Sequence, residues 1–379
     1  MARLVAFLGR ILVALVGHWD PPRWVRWCGR HGQRGGDWAW AHKVKAGLLL
    51  LALAGASTLT CDRREETNPA APPGPRYYII GKNGVQTRDA RKLLPGFGLV
   101  IVDQHLSGGE WIGRTSLGRE VAMKDLRPAK PSRFAGVLFD METLGGFPNL
   151  PAMVRGQQSW PAPHASGMDF GWVVKEGAPV YPQPDTTTKP IARRARYARL
   201  SLASPDGPQG FYRVTDGWMA ETDLRVPHRS PRPSAVADDE PWLDVELATQ
   251  TLVAYLGDKP VFATLVATGV GADGTPFATP KGIHRVRAKL LAATMDNLEH
   301  TGVVPYSYEE VPFTQYIGRV ALHGAFWHDQ FGIPRSHGCI NLSLADAEWL
   351  FSFTKPAVGE GETEAAATER KPGTVVRVR

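Results

Sequence analysis

The sequence is poor in cysteine, with only Cys28, Cys61 and Cys339 among 379 residues. Three thiols are too few for a fold held together by a network of disulfides. They also lack the closely spaced pairs of a zinc finger. The fold therefore has to rest on hydrophobic cores, and the chain is long enough for two or three domains of about 150 residues each.

Long helical periodicities are scarce, whereas Gly and Pro are plentiful, with 40 and 31 residues. Such a composition favours turns and short strands over long helices. The chain is therefore predicted to be mainly β.

Beyond residue 60 the chain has almost no excess of charge of either sign. Most of the formal net charge of +7 comes from residues 1–60, which hold eight Lys or Arg and two Asp. A basic segment ahead of an apolar run is typical of secreted proteins, whereas a nucleic-acid binder concentrates positive charge on its folded domain. We therefore expect no nucleic-acid partner.

The apolar run extends from Ala46 to Thr60 and is followed at once by Cys61. It is shorter than the roughly 20 residues that a membrane-spanning helix requires and fits the core of a secretory signal. An uncleaved anchor helix is the alternative. A Cys at this place resembles the lipidation site of bacterial lipoproteins, although Thr58-Leu59-Thr60 departs from the usual pattern. The leader predicts a protein of the cell envelope and periplasm, attached to a membrane by its N-terminal anchor or by a lipid on Cys61.

The leader is also unusually long, since residues 1–40 precede the part that resembles a signal. No Met lies between Met1 and Met123. A start at a valine codon near Val44 would give a compact signal, and our hypothesis is that translation begins there.

If processing occurs at Cys61, the soluble part of the chain keeps a single thiol, Cys339. A lone Cys in an oxidising compartment has no intramolecular disulfide partner. Cys339 is therefore a candidate reactive group before its neighbours are considered.

Two stretches in the middle of the chain are related to each other. GEWIGRTSLGREVAMKDLRP (109–128) and GFYRVTDGWMAETDLRVP (210–227) share an aromatic strand, a Gly turn and an Ala-x-x-Asp-Leu-Arg ending. A repeat of about 100 residues made of short strands predicts a duplicated small β-barrel. The second copy resembles bacterial SH3-like modules, and the first is more divergent. Such modules bind wall peptides or serve as spacers.

These boundaries divide the chain into a leader (1–61), a Pro-rich tether (62–76), a divergent SH3-like module (77–138), a connector (139–170), an SH3-like module (171–230), a hinge (231–240) and a C-terminal domain (241–379).

The C-terminal domain is predicted to be a β-sheet fold with one or two small helices. Apolar and polar residues alternate at its start, in WLDVELATQ, which predicts a strand. Further strands are expected at 252–255, 261–268, 283–287, 317–323 and 374–378. Ser343-x-x-Asp346 ahead of apolar positions indicates a capped helix.

The most reactive cluster is ALHGAFWHDQFGIPRSHGCINLS, residues 321–343. A thiol of ordinary pKa near 8.5 is only a few per cent thiolate at neutral pH, so a Cys nucleophile needs an imidazole beside it. His323 could reach Cys339 if the intervening loop folds back. Gly338 removes side-chain bulk next to the nucleophile and leaves backbone amides free to face an oxyanion. These groups suit acyl transfer.

Ser336-His337-Gly338-Cys339-Ile340-Asn341, with His323-Gly324 upstream, resembles the catalytic motif of the L,D-transpeptidases. The resemblance extends over residues 241–379 and includes the opening WLDVELATQTLVAY and the Thr279-Pro280-Lys281-Gly282 turn. It implies a transferase that remodels the cell wall, with peptidoglycan stem peptides as substrate and no cofactor. Its products are crosslinks or wall-attached protein.

The resemblance also implies residue roles. Cys339 would attack the carbonyl between the third stem residue and the terminal D-Ala, with His323 as base and then acid. Gly324, Ser336, His337, Gly338 and Asn341 would hold the oxyanion or position the substrate. Many relatives have Arg where this chain has Asn341, so Arg335 is a candidate to recognise the substrate carboxylate instead.

Other interpretations remain. Cys339 could be an inert buried thiol, and His337 could merely support the loop. Trp327 and His328 are expected to pack within the loop. A metal site of His323, His328, His337 and Cys339 lacks a nearby carboxylate base, so no metal is expected. The alternative function is a non-catalytic peptidoglycan-binding envelope adaptor.

Overall fold

The computed structural model describes residues 76–139, 164–165, 168–204, 208, 210–298 and 305–379. The leader with Cys61, the tether and most of the connector lie outside these residues. Within them, no helix is both long enough and apolar enough to cross a membrane.

The described residues are mainly β, with one α-helix. Their strands are β1 (Arg76–Ile80), β2 (Val85–Gln86), β3 (Lys92–Leu93), β4 (Gly98–Ser107), β5 (Glu110–Thr115), β6 (Glu120–Ala122), β7 (Leu126–Pro128), β8 (Val137–Phe139), β9 (His164–Ala165), β10 (Phe170–Val173), β11 (Ala178–Val180), β12 (Ala192–Arg194), β13 (Arg199–Ser204), β14 (Phe211–Val214), β15 (Gly217–Ala220), β16 (Leu224–Arg225), β17 (Pro241–Glu246), β18 (Thr251–Leu256), β19 (Lys259–Leu265), β20 (Gly282–Arg285), β21 (Ala288–Asp296), β22 (Ser307–Ile317), β23 (Val320–Gly324), β24 (Ile340–Leu342), β25 (Glu364–Ala366) and β26 (Val375–Val378). The helix is α1 (Leu344–Phe353), and two 3₁₀ turns are η1 (Met123–Asp125) and η2 (Glu221–Asp223).

The two N-terminal β regions have the same topology. In the first, called module 1 (76–128), the strand order is β7-β1-β4-β5-β6, with a separate β2-β3 hairpin. In the second, called module 2 (170–225), the order is β16-β10-β13-β14-β15, with a separate β11-β12 hairpin. The shared Ala-x-x-Asp-Leu-Arg ending forms η1 in one and η2 in the other.

Among the described residues no sheet closes into a barrel, which differs from the small β-barrels that the repeat predicts. At its first residue β4 of module 1 also pairs in parallel with β22 of the C-terminal domain, where Tyr308 lies opposite Gly98. A Cβ atom on Gly98 would stand 2.6 Å from the Tyr308 ring and 2.8 Å from the Phe326 ring, so only glycine permits this approach.

The C-terminal domain consists of two sheets with a core between them. One sheet has the order β20-β26-β17-β18-β19-β8-β9, and the other runs from β24 through β23 to β22, with β21 and β25 beside it. Helix α1 lies against β22 and β23. The hydroxyl of Ser343 accepts a hydrogen bond from the Asp346 N–H at 3.1 Å, as the capped-helix pattern predicts.

The single strand predicted at 317–323 is wrong. Strand β22 ends at Ile317, and β23 begins at Val320 and turns back against it. Gly318, with a φ of 69°, supplies the left-handed conformation for this tight turn. Only Gly318 and Arg319 separate the apolar residues of the two strands, so the sequence pattern looks like that of one continuous strand.

A buried ion pair joins module 1 to the C-terminal domain. Arg119, in the turn between β5 and β6, donates a hydrogen bond of 2.9 Å to Oε1 of Glu309 on β22. Glu309 is fully buried, and among the described residues its Oε2 has no hydrogen-bond partner. Desolvation outweighs the attraction of Arg119 and raises the pKa of Glu309 to about 7.

Because the folded state holds the Glu309 proton more tightly than the unfolded state, stability is lost as pH rises from the unfolded pKa of 4.5 to the folded pKa of about 7. Glu309→Gln removes this titration. We expect the free energy of unfolding of the wild type, relative to Glu309→Gln, to fall on the order of 3 kcal/mol across that window. Thermal or urea unfolding between pH 4 and 8 measures it, with the surface variant Glu110→Gln as control. The assignment of this titration to Glu309 would be contradicted if the free energy of unfolding of the wild type changed with pH equally relative to Glu309→Gln and relative to Glu110→Gln.

Candidate active site

Parallel pairing of β23 with β24 brings the predicted base and nucleophile together. His323 lies opposite Asn341 in this register, and Cys339 precedes Asn341 by two residues. The side chains of His323 and Asn341 lie on one face of the sheet, and Cys339, just before β24, lines the same cavity. The loop between His323 and Cys339 therefore folds back as the sequence predicts.

That face opens into a cavity of about 330 Å³. It is lined by Met295, Tyr306, Tyr308, His323, Trp327, Arg335, Ser336, His337, Cys339 and Asn341. Apolar walls with a few convergent polar groups are typical of a small-molecule or peptide site.

The backbone fixes the His323 ring in one tautomer. Nδ1 of His323 lies 3.2 Å from the carbonyl oxygen of Gly324, so Nδ1 carries the proton and donates to this oxygen. Nε2 is then the basic atom. Burial lowers the pKa of His323 to about 4, only partly opposed by the Gly324 hydrogen bond, so the ring is neutral at physiological pH.

Burial also keeps the nucleophile neutral. Desolvation raises the pKa of the Cys339 thiol, and a backbone hydrogen bond at Ala321 lowers it in part. The thiol and the imidazole both line the cavity, and burial favours the neutral form of each.

The loop ahead of Cys339 is held by its own hydrogen bonds. Oγ of Ser336 donates to the carbonyl oxygen of Cys339 and accepts from the N–H of Gly338 at 3.1 Å. The Gly338 amide is thus engaged within the loop. Gly338 has a φ of 123°, a conformation that side chains disfavour, and a Cβ atom there would stand 3.2 Å from the Ala278 carbonyl oxygen.

Thr279 holds this loop from the opposite side. Its Oγ1 donates to the Gly338 carbonyl oxygen at 2.8 Å and accepts from the Gly269 N–H at 2.8 Å. Thr279 belongs to the Thr-Pro-Lys-Gly turn of the family resemblance. Its sequence position gave no indication that it contacts the nucleophile loop.

The β21–β22 hairpin, called the flap (288–317), covers one side of the cavity with aromatic rings. Tyr306 stacks on His337 with ring centroids 5.1 Å apart, and Phe277 meets the same imidazole edge-on at 4.9 Å. Tyr308 stacks on Trp327 at 3.9 Å, and Trp327 lies 5.6 Å from His323. Trp327, expected to serve only for loop packing, is therefore part of the site.

His328 is buried behind Asn341. Its Nδ1 accepts from the Gln330 N–H at 3.1 Å, and its Nε2 lies 3.0 Å from Nδ2 of Asn341. Burial lowers the pKa of His328 to about 3, so the ring is neutral and carries its proton on Nε2. Oδ1 of Asn341 is buried without a partner among the described residues. Rotating the amide by 180° gives the Nε2 proton an acceptor and moves the Asn341 amino group to the buried position of Oδ1.

The two remaining predicted residues play unequal parts. Arg335 is exposed at the cavity edge, where Nη1 donates to Oε1 of Gln330 at 2.6 Å. Gly324 does not line the cavity. Besides accepting the His323 hydrogen bond with its carbonyl oxygen, it lets helix α1 pack closely, because a Cβ atom on Gly324 would stand 2.9 Å from the Leu344 side chain. Among the described residues no cluster of three or more His, Cys, Asp or Glu is arranged to hold a metal ion.

The neutral thiol gives a direct prediction. We expect iodoacetamide to alkylate Cys339 slowly at pH 7, with a rate that climbs only in the alkaline range, because burial raises the pKa of the thiol and little of it is ionised at neutral pH. Mass spectrometry of the Cys339 peptide gives the rate, and the urea-unfolded chain is the control with an ordinary thiol. A fast rate that is level from pH 5 to 8 would instead reveal a thiolate–imidazolium pair.

A second prediction concerns Thr279. Thr279→Val keeps the shape of the side chain but leaves the Gly338 carbonyl and the Gly269 N–H without partners. We expect a loss of about 1 to 3 kcal/mol in stability and slower acylation of Cys339. Thr275→Val, on the exposed part of the same loop, is the matched control. Unchanged acylation in Thr279→Val would show that the loop does not need this brace.

One protein family matches the C-terminal part of the chain. Residues 240–378 match the model of the YkuD family, described as the L,D-transpeptidase catalytic domain. A comparison with curated protein sequences gave no match.

Solved structures give similar results. An L,D-transpeptidase variant from Enterococcus faecium is 24% identical, over 38% of this chain and 50% of its own, with a TM-score of 0.28. L,D-transpeptidase 3 from Mycobacterium tuberculosis is 19% identical, over 37% and 60%, with a TM-score of 0.28. An L,D-transpeptidase from Mycobacterium smegmatis is 19% identical, over 48% and 82%, with a TM-score of 0.28. The match thus spans half of the Enterococcus faecium chain.

These TM-scores are low, so the assignment depends on the family model. The C-terminal residues 240–378 of this chain match the YkuD family of L,D-transpeptidase catalytic domains.

Proposed function

We propose that the protein is an L,D-transpeptidase that acts on peptidoglycan stem peptides through an acyl-enzyme on Cys339. The observation that carries this proposal is that Cys339, next to the start of β24, and His323, on the paired strand β23, line one cavity. The same reaction would form crosslinks between stems or attach a protein to the wall.

The protonation states suit such a reaction. As the sulfur attacks the carbonyl that precedes the terminal D-Ala, the thiol proton passes to Nε2 of His323. The imidazolium then gives this proton to the departing amine of D-Ala, which leaves a thioester on Cys339. An acceptor amine attacks the thioester, loses its proton to His323, and returns the free thiol. The Gly324 carbonyl stabilises the transient imidazolium, as a carboxylate does in other triads.

The oxyanion of each tetrahedral intermediate needs hydrogen-bond donors. Since the Gly338 amide already donates to Ser336, the Cys339 amide and the His337 ring are the candidates. Asn341 and Arg335 line the cavity and would bind carbonyl or carboxylate groups of the substrate. Ser336 and Gly338 act by shaping the loop.

The N-terminal segments complete the proposal. The leader with Cys61 would direct the chain to the periplasm and attach it to a membrane by an anchor or a lipid. The tether 62–76 would set its reach. The segments 77–138 and 171–230 would serve as SH3-like modules, separated by the connector 139–170, and the hinge 231–240 would lead into the catalytic domain 241–379. No cofactor and no nucleic acid enters this scheme.

Intact-mass spectrometry tests the function. The full chain and its Cys339→Ala variant are incubated with a carbapenem or with a tetrapeptide-bearing muropeptide. We expect a covalent adduct on the wild type alone, and for the muropeptide the release of D-Ala.

His323→Gln should slow acylation by at least about a hundredfold, the usual contribution of a positioned general base. His284→Gln, which changes a histidine outside the cavity, is its control. Absence of any adduct on the wild type, together with retention of peptidoglycan by Cys339→Ala, would favour the non-catalytic adaptor instead.

A further inference from the structure

A second cavity of about 450 Å³ lies between module 1 and the flap. Module 1 contributes residues of β3 and the turns around it, including Arg91 and Lys92, and the flap contributes Asp296 and Ser307. We call this cavity the module groove. Nothing in the reaction described above uses it.

The module groove and the catalytic cavity lie on opposite faces of the flap. Met295 and Tyr308 pair across the flap strands and line the catalytic cavity. Asp296 and Ser307, each one residue away, pair with each other and line the module groove. Because neighbouring residues on a strand face opposite sides, the flap is the wall between two separate sites.

The module groove carries both charge signs. Arg91 and Lys92 are exposed, and among the described residues neither lies within 4.0 Å of a carboxylate, although the charge of Arg91 helps to lower the pKa of the neighbouring Asp89. Arg119 closes one end but is engaged by Glu309. On the flap side stands a single carboxylate, Asp296. A ligand with carboxylates toward module 1 and an amine toward the flap would satisfy these charges.

Two exposed leucines flank the groove, Leu117 at 45% and Leu298 at 54% exposure. The floor is apolar, with Leu93 and Phe97 buried. Such a surface suits small apolar groups placed between the charged ends of a peptide.

We propose that the module groove binds a second stem peptide of the cell wall, in addition to the one that reacts at Cys339. Stem peptides combine free carboxylates, alanine methyl groups and, on an acceptor stem, a free amine, which match Arg91 and Lys92, the two leucines and Asp296 in turn. Binding here would hold the enzyme on multi-stem wall material from the outer side of the flap. This inference rests on the proposed function.

The test uses the full chain with the Cys339→Ala substitution, so that binding is measured without turnover. The probe is a soluble glycan fragment that bears several tetrapeptide stems, followed by calorimetry or fluorescence anisotropy. We expect Arg91→Glu with Lys92→Glu to weaken binding about tenfold, as the reversal of two exposed charges allows. Arg127→Glu with Lys130→Glu changes the net charge equally at exposed positions outside the groove and should leave binding unchanged.

Acylation separates this inference from the proposed function. With Cys339 intact, both double variants should form the carbapenem adduct at the wild-type rate, since the groove is not part of the catalytic cavity. If the wild type forms no adduct, the proposed function fails. If adducts form but the groove variant binds the glycan as tightly as its control, the groove proposal is overturned. It is equally overturned if the groove variant loses only its binding to phosphatidylglycerol vesicles, which would make the groove a lipid site.

Discussion

The pairing of β23 with β24 is the constraint on which the active site depends. It brings the proposed base His323, on β23, close to the start of β24, where the proposed nucleophile Cys339 lies 16 residues later in the sequence. A loop of this length has many conformations, and fixing each residue costs about 1 to 2 kcal/mol of backbone entropy. The pairing covers only three residue pairs, so the loop has to be held from outside. The conformation of this loop therefore depends more on contacts with the surrounding residues than on the loop sequence itself.

The two N-terminal modules supply those contacts from different sides. Module 2 holds the loop, because the Tyr197 hydroxyl donates to the Asp329 carbonyl at 3.1 Å and accepts from the Phe331 N–H at 3.1 Å. Module 1 holds the flap through the β4–β22 pair and stacks Tyr77 on Phe326 at 4.3 Å. Segments that resemble spacers by their sequence thus form part of the support of the cavity. Movement of either module would shift a wall of the catalytic site.

Local patterns predicted the local features well. The capping Ser343 and the alternating strand at 241–246 both depend on residues a few positions apart. The flap tyrosines, the Thr279 brace and the second role of Trp327 could not be read from the chain. They depend on which distant strands become neighbours, and a tyrosine on a half-buried strand has the same pattern whether it faces a core or a cavity. The short module strands likewise carried no sign that β4 would also pair with β22.

Desolvation would protect the proposed nucleophile Cys339 in the oxidising compartment that the leader predicts. The same burial raises the pKa of Cys339 and lowers that of His323, so both shifts favour the neutral pair. A thiol reacts with oxidants mainly as its thiolate, and the resting enzyme holds little of it. A bound substrate changes the balance, because its carbonyl receives the sulfur as the imidazole receives the proton, and no free thiolate has to accumulate. In the proposed reaction, the burial that protects Cys339 from oxidants also makes the ionisation of its thiol depend on a bound substrate.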